Sequence, residues 1–151
     1  MELLGVENTL IGFPNTDFIS SGNTRKRIDA GQVKEVGTNE TLNTEILIDI
    51  APDVIVSFGL NNSNPTLDNL QKSGLKVLLN GDWNEQSPLG KAEWIKFFGA
   101  LYGLDAKAKA IFSSIEKEYQ TTLALAQKAK QKPTVLSGAM YQDQWFVPQG
   151  E

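Results

Sequence analysis

DAKAKAIFSSIEKEYQTTLALAQKAKQK, residues 105–132, contains no Gly or Pro, and the nearest such residues are Gly103 before it and Pro133 after it. Asp105 is a good N-cap type, and Ile111, Ile115, Tyr119, Leu123 and Ala126 recur at spacings of three and four, which predicts one apolar stripe on a helix. Lys107, Lys109, Glu116, Lys117, Glu118, Lys128 and Lys130 fall mostly off that stripe. Lys128, Lys130 and Lys132 gather where the helix dipole favours cations, and Pro133 ends the run. At ~1.5 Å per residue such a helix spans ~40 Å, about the width of a small domain. Placed after an α/β region and before a new strand, it reads as a strut between two lobes. An ordinary packed helix of one domain is the plainer alternative.

The composition narrows the function. The chain has 151 residues, enough for one domain with a sizeable core or for one lobe and part of another. A net charge of -4 argues against nucleic acid or an anionic membrane as the main partner, since both call for a basic face. There is no Cys, so neither a disulfide framework nor a thiolate metal site is available. There is no His either, which removes the commonest metal ligand and the commonest general base at neutral pH. No stretch has the ~18 apolar residues of a membrane span. Met1–Gly5 reads like the end of a helix already under way, and Pro148–Glu151 stops in mid-pattern, so a fragment of a longer protein is expected.

Upstream of residue 105 the chain alternates short strands and helices. Strands are expected at Thr9–Phe13, Val33–Val36, Val54–Phe58 and Lys76–Leu79, the third apolar on both faces as in a buried parallel strand. Helices are expected after Asn23, over Thr44–Ile50 with Asn43 as its cap, from Asn64-Pro65 to Gly74, and over Leu89–Tyr102. This alternation predicts an α/β fold, a Rossmann-like lobe whose parallel sheet is covered by helices. Ligands of such sheets bind at the carboxyl ends of the strands, which selects the loops 14–18, 37–41, 59–64 and 81–85. After Pro133, Thr134–Gly138 and Tyr141–Val147 read as the first strands of a second α/β lobe.

No GxGxxG or GxxxxGK[ST] follows a strand, so a dinucleotide site or P-loop is not expected. Asp17, Asp82, Glu85 and Asp143 lie in loops, where each alone is most simply a solvated turn residue. An enzyme would have to work with such carboxylates, Lys or Tyr, and no spacing marks a pair of them. The aromatics say more. Phe13, Phe18, Phe58, Trp83, Tyr141 and Trp145 lie in or beside the selected loops, whereas Trp94, Phe97, Phe98, Phe112 and Tyr119 lie on helices and suit packing. Several rings at one end of a sheet suggest a cleft for a flat or bulky organic ligand.

Several segments resemble the class III substrate-binding proteins of ABC importers, which capture ferric siderophores, haem or cobalamin. These are Gly12–Ile19, Leu42–Leu47 with Ala51–Ile55, Leu75–Val77, Ser87–Phe97 (SPLGKAEWIKF), Pro133–Leu136 and Trp145–Gly150. The resemblance implies an N-terminal ligand-binding lobe over 1–104, a connecting helix over 105–132 and the start of a truncated second lobe over 133–151. It implies binding without catalysis, no cofactor, and a metal chelate as cargo, and the absence of His favours a pre-chelated metal over a bare ion. By position, the ligand would meet Pro14, Asn15, Thr16, Asp17, Thr38, Asn39, Phe58, Gly59, Asn61, Asp82, Trp83, Tyr141 and Trp145. Family members dock on permease arginines through an acidic residue on each lobe. Asn64 stands about where that acid is expected, which leaves Asp68. The implied partner is an ABC importer permease, the implied setting the periplasm or cell surface with a lipid anchor left open, and the implied state a monomer. A chelate-binding sensor or receptor without a transporter, and an α/β enzyme domain using Asp17 or Asp82, are the alternatives.

Overall fold

Helices begin here where a short polar side chain can catch an orphan main-chain N–H. In the computed structural model, which describes residues 1–38, 41–59 and 64–147, Ser21 accepts from the Thr24 N–H, Asn43 from Ile46, Asn64 from Leu67 and Ser87 from Gly90. These caps start α1 (Gly22–Asp29), α2 (Thr44–Ile50), α3 (Pro65–Lys72) and α4 (Pro88–Glu93). Pro65 and Pro88 open α3 and α4, where the missing N–H costs nothing. The cap of α1 is Ser21 and not Asn23, because Ser21 carries the extended backbone of a cap while Asn23 already lies inside the helix.

The strands are shorter than expected. β1 (Gly12–Phe13) pairs in parallel with β2 (Lys34–Glu35), and β3 (Ile55–Ser57) in parallel with β4 (Val77–Leu79). The parallel pairing and the intervening helices are as read from the sequence, but the ladders form two separate pairs among the described residues. Thr9 belongs to a 3-10 turn, Glu7–Thr9, closed by its N–H and hydroxyl on the Val6 carbonyl, so the strand begins only at Gly12.

One core unites the central elements. Val36, Leu47, Ile55, Leu67 and Leu70 are buried together, with Leu42, Ile46, Ile50, Leu75 and Val77 packed around them. The expected helix Leu89–Tyr102 is two, α4 and α5 (Ile95–Leu101), joined at Trp94. Bonds of the i to i+3 kind lie on both sides of the joint, from the Trp94 N–H to the Lys91 carbonyl and from the Phe97 N–H to the Trp94 carbonyl. The Trp94 indole N–H reaches Glu85 Oε1 at 3.1 Å, which ties the ring to the preceding loop.

The long helix, α6, spans Asp105–Lys128. Ala108 and Phe112 are buried and Ile111 and Ile115 half-buried. At Gly99 of α5 a Cβ would stand 2.4 Å from Ala108 Cβ, so only glycine permits that approach. Lys96 Nζ lies 3.9 Å from the centre of the Phe112 ring, and Lys107 Nζ donates to the Leu4 carbonyl at 2.8 Å. The apolar stripe loses its burial after Ile115: Tyr119, Leu123 and Ala126 are exposed. The helix also stops short of Lys132, closing with a tighter turn from the Ala129 N–H to the Ala126 carbonyl.

The chain divides into two compact units, Met1–Glu116 and Lys117–Glu151. In the second, β5 (Ala139–Tyr141) pairs antiparallel with β6 (Gln144–Phe146) through Gln142 and Asp143, both at positive φ as a two-residue hairpin turn demands. The expected strand Thr134–Gly138 does not form. A strand needs a neighbour to pair with, and none pairs with that stretch among the described residues.

Candidate functional site

The carboxyl end of β1 runs into the turn Pro14–Phe18, and two charged groups fix its backbone. Asn15, in the left-handed region at φ 50°, donates its N–H to the Gly37 carbonyl and to Glu35 Oε1, each at 2.9 Å. The Thr16 N–H and hydroxyl donate to Glu35 Oε2 at 2.7 and 2.6 Å. Arg25 Nη2 of α1 donates to the carbonyls of Thr16 at 2.5 Å and Ile19 at 2.9 Å. Thr16 is buried by these contacts and Pro14 and Asn15 half-buried, whereas Asp17 is exposed and Phe18 is 81% exposed. Burial pushes the Glu35 carboxyl up, but the donors of Thr16, Asn15 and Gly37 together outweigh it and hold Glu35 below the usual carboxylate range.

The loop after β2 is held by itself. Gly37, at φ 100°, pairs with Leu42; a Cβ there would meet the Thr41 carbonyl at 2.4 Å. The Thr38 N–H donates to the Thr41 carbonyl at 2.9 Å, and Thr38 Oγ1 accepts from the Thr41 N–H at 3.0 Å. Thr38 is exposed, and Asn39 lies outside the described residues. The bond from Asn15 to Gly37 brings the first two predicted loops together.

The second ladder does the same for its own pair. The Asn80 N–H donates to the Ser57 carbonyl at 2.7 Å, which sets the exit of β4 beside Phe58 and Gly59, both half-buried. Asn80 Oδ1 then accepts from the Asp82 N–H at 3.0 Å, opening the 3-10 turn Asp82–Asn84. Trp83 on that turn is 47% exposed, as Phe13 on β1 is 41% exposed. Asn61 lies outside the described residues. A shallow hollow of about 200 Å³ lined by Glu85, Gly90, Glu93, Trp94 and Phe97 follows the turn. It is smaller than the ~300 Å³ where ordinary ligand pockets begin, and the Trp94–Glu85 bond accounts for its wall.

Asp68 sits exposed within α3. Tyr141 and Trp145 belong to the hairpin of the second unit, where Trp145 lies opposite Met140 and is half-exposed. Asp17 and Asp82 are exposed, and among the described residues no group of three or more Asp or Glu is placed to hold a metal ion. The ends of the two ladders therefore offer exposed rings, hydroxyls and main-chain groups, the equipment of binding. Sequence reasoning missed Glu35 and Arg25 as supports of the first loop. Glu35 reads as the solvent-facing residue of a short strand, and nothing local distinguishes it.

The family described as periplasmic binding protein matches residues 1–150. The chain belongs to the periplasmic binding protein family. This agrees with the resemblance read from Gly12–Ile19, Ser87–Phe97 and the other segments. An uncharacterized lipoprotein of Methanocaldococcus jannaschii is 28% identical over 82% of this periplasmic binding protein chain and 30% of its own length. A second protein of that organism is 30% identical, over 78% of this chain and 36% of its own. The chain thus spans about a third of the length of these curated relatives. Among solved structures, a periplasmic heme-binding protein from Pseudomonas aeruginosa superposes with a TM-score of 0.67 at 23% identity, over 89% of this chain and 46% of that one. A possible iron-binding periplasmic solute-binding protein from Staphylococcus epidermidis gives 0.68 at 19%, over 97% and 54%. These likenesses show a shared α/β fold. Among the described residues no helix is long and apolar enough to cross a membrane.

Proposed function

We propose that this chain is the ligand-binding lobe and connecting helix of an extracytoplasmic protein that carries a metal chelate (ferric siderophore, haem or cobalamin) to an ABC importer. The observation that carries it is the exposure of Phe13, Phe18 and Trp83 at the carboxyl ends of the parallel ladders, in a member of a family of binding proteins. Rings left in water at the ligand-binding end of an α/β sheet suit the organic surface of a chelate. The polar groups of Pro14, Asn15, Asp17, Thr38, Asn39, Phe58, Gly59, Asn61 and Asp82 then orient it, while Thr16 holds the turn from within. On this reading residues 1–104 form the first lobe, 105–132 the connection and 133–151 the start of the second. Asp68 is the acid offered to a permease arginine. The whole protein is a monomer in the periplasm or at the cell surface, and it turns nothing over. The haem-binding and iron-binding names of two similar structures support including both cargoes in the trial.

The test is a tryptophan-fluorescence titration, repeated by calorimetry, of the full-length protein with haemin, ferric citrate, ferrioxamine B and cyanocobalamin. Saturable binding of one of them is expected. Trp83→Ala should weaken it about tenfold, a loss of ~1.4 kcal/mol. No binding by the intact, folded protein overturns the reading.

A further inference from the structure

We propose that Glu35 is a positioning residue of the ligand site, holding the Asn15–Phe18 turn in its binding shape so that the Phe18 ring meets the cargo ready-placed. This rests on the chelate-binding reading above and adds to it Glu35, a residue outside the contacts expected from the sequence. The ladder explains why a side chain is needed. β1 and β2 are in register at Phe13 and Glu35, and beyond that pair the main chain of residues 14–18 leaves the sheet. The Asn15 N–H still reaches the Gly37 carbonyl just past β2, but the Thr16 N–H has turned away from any strand. Glu35 shares the first through Oε1 and takes the second, with the Thr16 hydroxyl, through Oε2. From α1, Arg25 takes the carbonyls of Thr16 and Ile19. The Asn15 and Thr16 donors thus meet an anion and the Thr16 and Ile19 carbonyls a cation, each supplied by a different element. Hydrogen bonds to charged groups are the strong kind.

The consequence is a division of labour inside one short turn. Thr16 is buried and faces its supports, whereas Asp17 is exposed and Phe18 is 81% exposed. A ring on a free loop must be ordered when a ligand arrives, and that ordering subtracts from affinity. A ring on a turn already fixed on both sides avoids most of the loss. Phe18 offers a flat face and no charge, which suits the planar or alkyl periphery of a chelate.

The test is a double-mutant cycle on the full-length protein, with haemin, ferric citrate, ferrioxamine B and cyanocobalamin as the probes. Glu35→Gln and Phe18→Ala should each weaken the bound probe about tenfold. The double variant should lose less than the two single losses combined, because Glu35 acts in part through that ring. Amide exchange at Asn15 and Thr16 should quicken in Glu35→Gln. Should Glu35→Gln not fold, Glu35→Asp replaces it, keeping the charge while shortening the reach. If the wild type binds and the two losses add, or if Glu35→Gln binds like the wild type, the inference is overturned alone. If the folded wild type binds no probe, the chelate reading falls and takes this inference with it.

Discussion

Two carboxylates have their charged form held by hydrogen bonds. Glu2 accepts from the hydroxyls of Ser21 and Thr24, which hold it below the usual carboxylate range and tie the start of the chain to the cap of α1. At Glu35, burial pushes upward, but the donors of Thr16, Asn15 and Gly37 prevail. Both folded values are depressed, so their stabilisation is complete above the unfolded carboxyl value of ~4.3 and is lost as pH falls through the folded values. The wild type should therefore lose some urea resistance as pH falls below about 4.3, and a Glu2→Gln, Glu35→Gln double variant should show a flatter dependence there. Urea midpoints across that range, with identical slopes in the two proteins, would refute the assignment. Near neutral pH the double variant should be the less stable of the two.

At the scale of the elements, caps separate what is local from what is not. Asn43 and Asn64 each satisfy an N–H three residues on, so replacing either by Ala should cost about 1 kcal/mol. Asn23 lies inside α1 without the capping role, and Asn23→Ala should stay within about 0.5 kcal/mol. Denaturant unfolding of the three variants measures the contrast. The Asn43 and Asn64 starts were legible in the sequence because a cap links residues three apart. Strand ends were not. Thr9 joins a 3-10 turn and Thr134–Gly138 stays unpaired, although both stretches are apolar enough, because pairing depends on a neighbour that the segment does not encode. Trp94 divides a helix whose sequence reads as continuous, since its indole answers to Glu85 in the loop before. The loops of the candidate site were likewise legible from strand–helix alternation. The residue that shapes the first of them was not, because Glu35 acts on a turn some 20 positions away.

Across the whole chain burial is uneven. Leu4 and Leu70 are fully enclosed in the first unit, while every described side chain of Lys117–Lys128 is exposed. Leu70→Ala should cost about 2–5 kcal/mol and Leu123→Ala less than about 0.5 kcal/mol in this chain. Amide exchange should follow the same division, slow over Ala108–Phe112 and fast beyond Lys117. Equal losses for the two leucines would show that the far end of α6 is as well packed as the core. The first turn of the candidate site carries a different kind of consequence. Its form is stored in Glu35 and Arg25, and its outward face in Asp17 and Phe18. Positions 17 and 18 are therefore a cassette: they can be rewritten for a new cargo, by selection or in a designed library, while the backbone that displays them stays as it is.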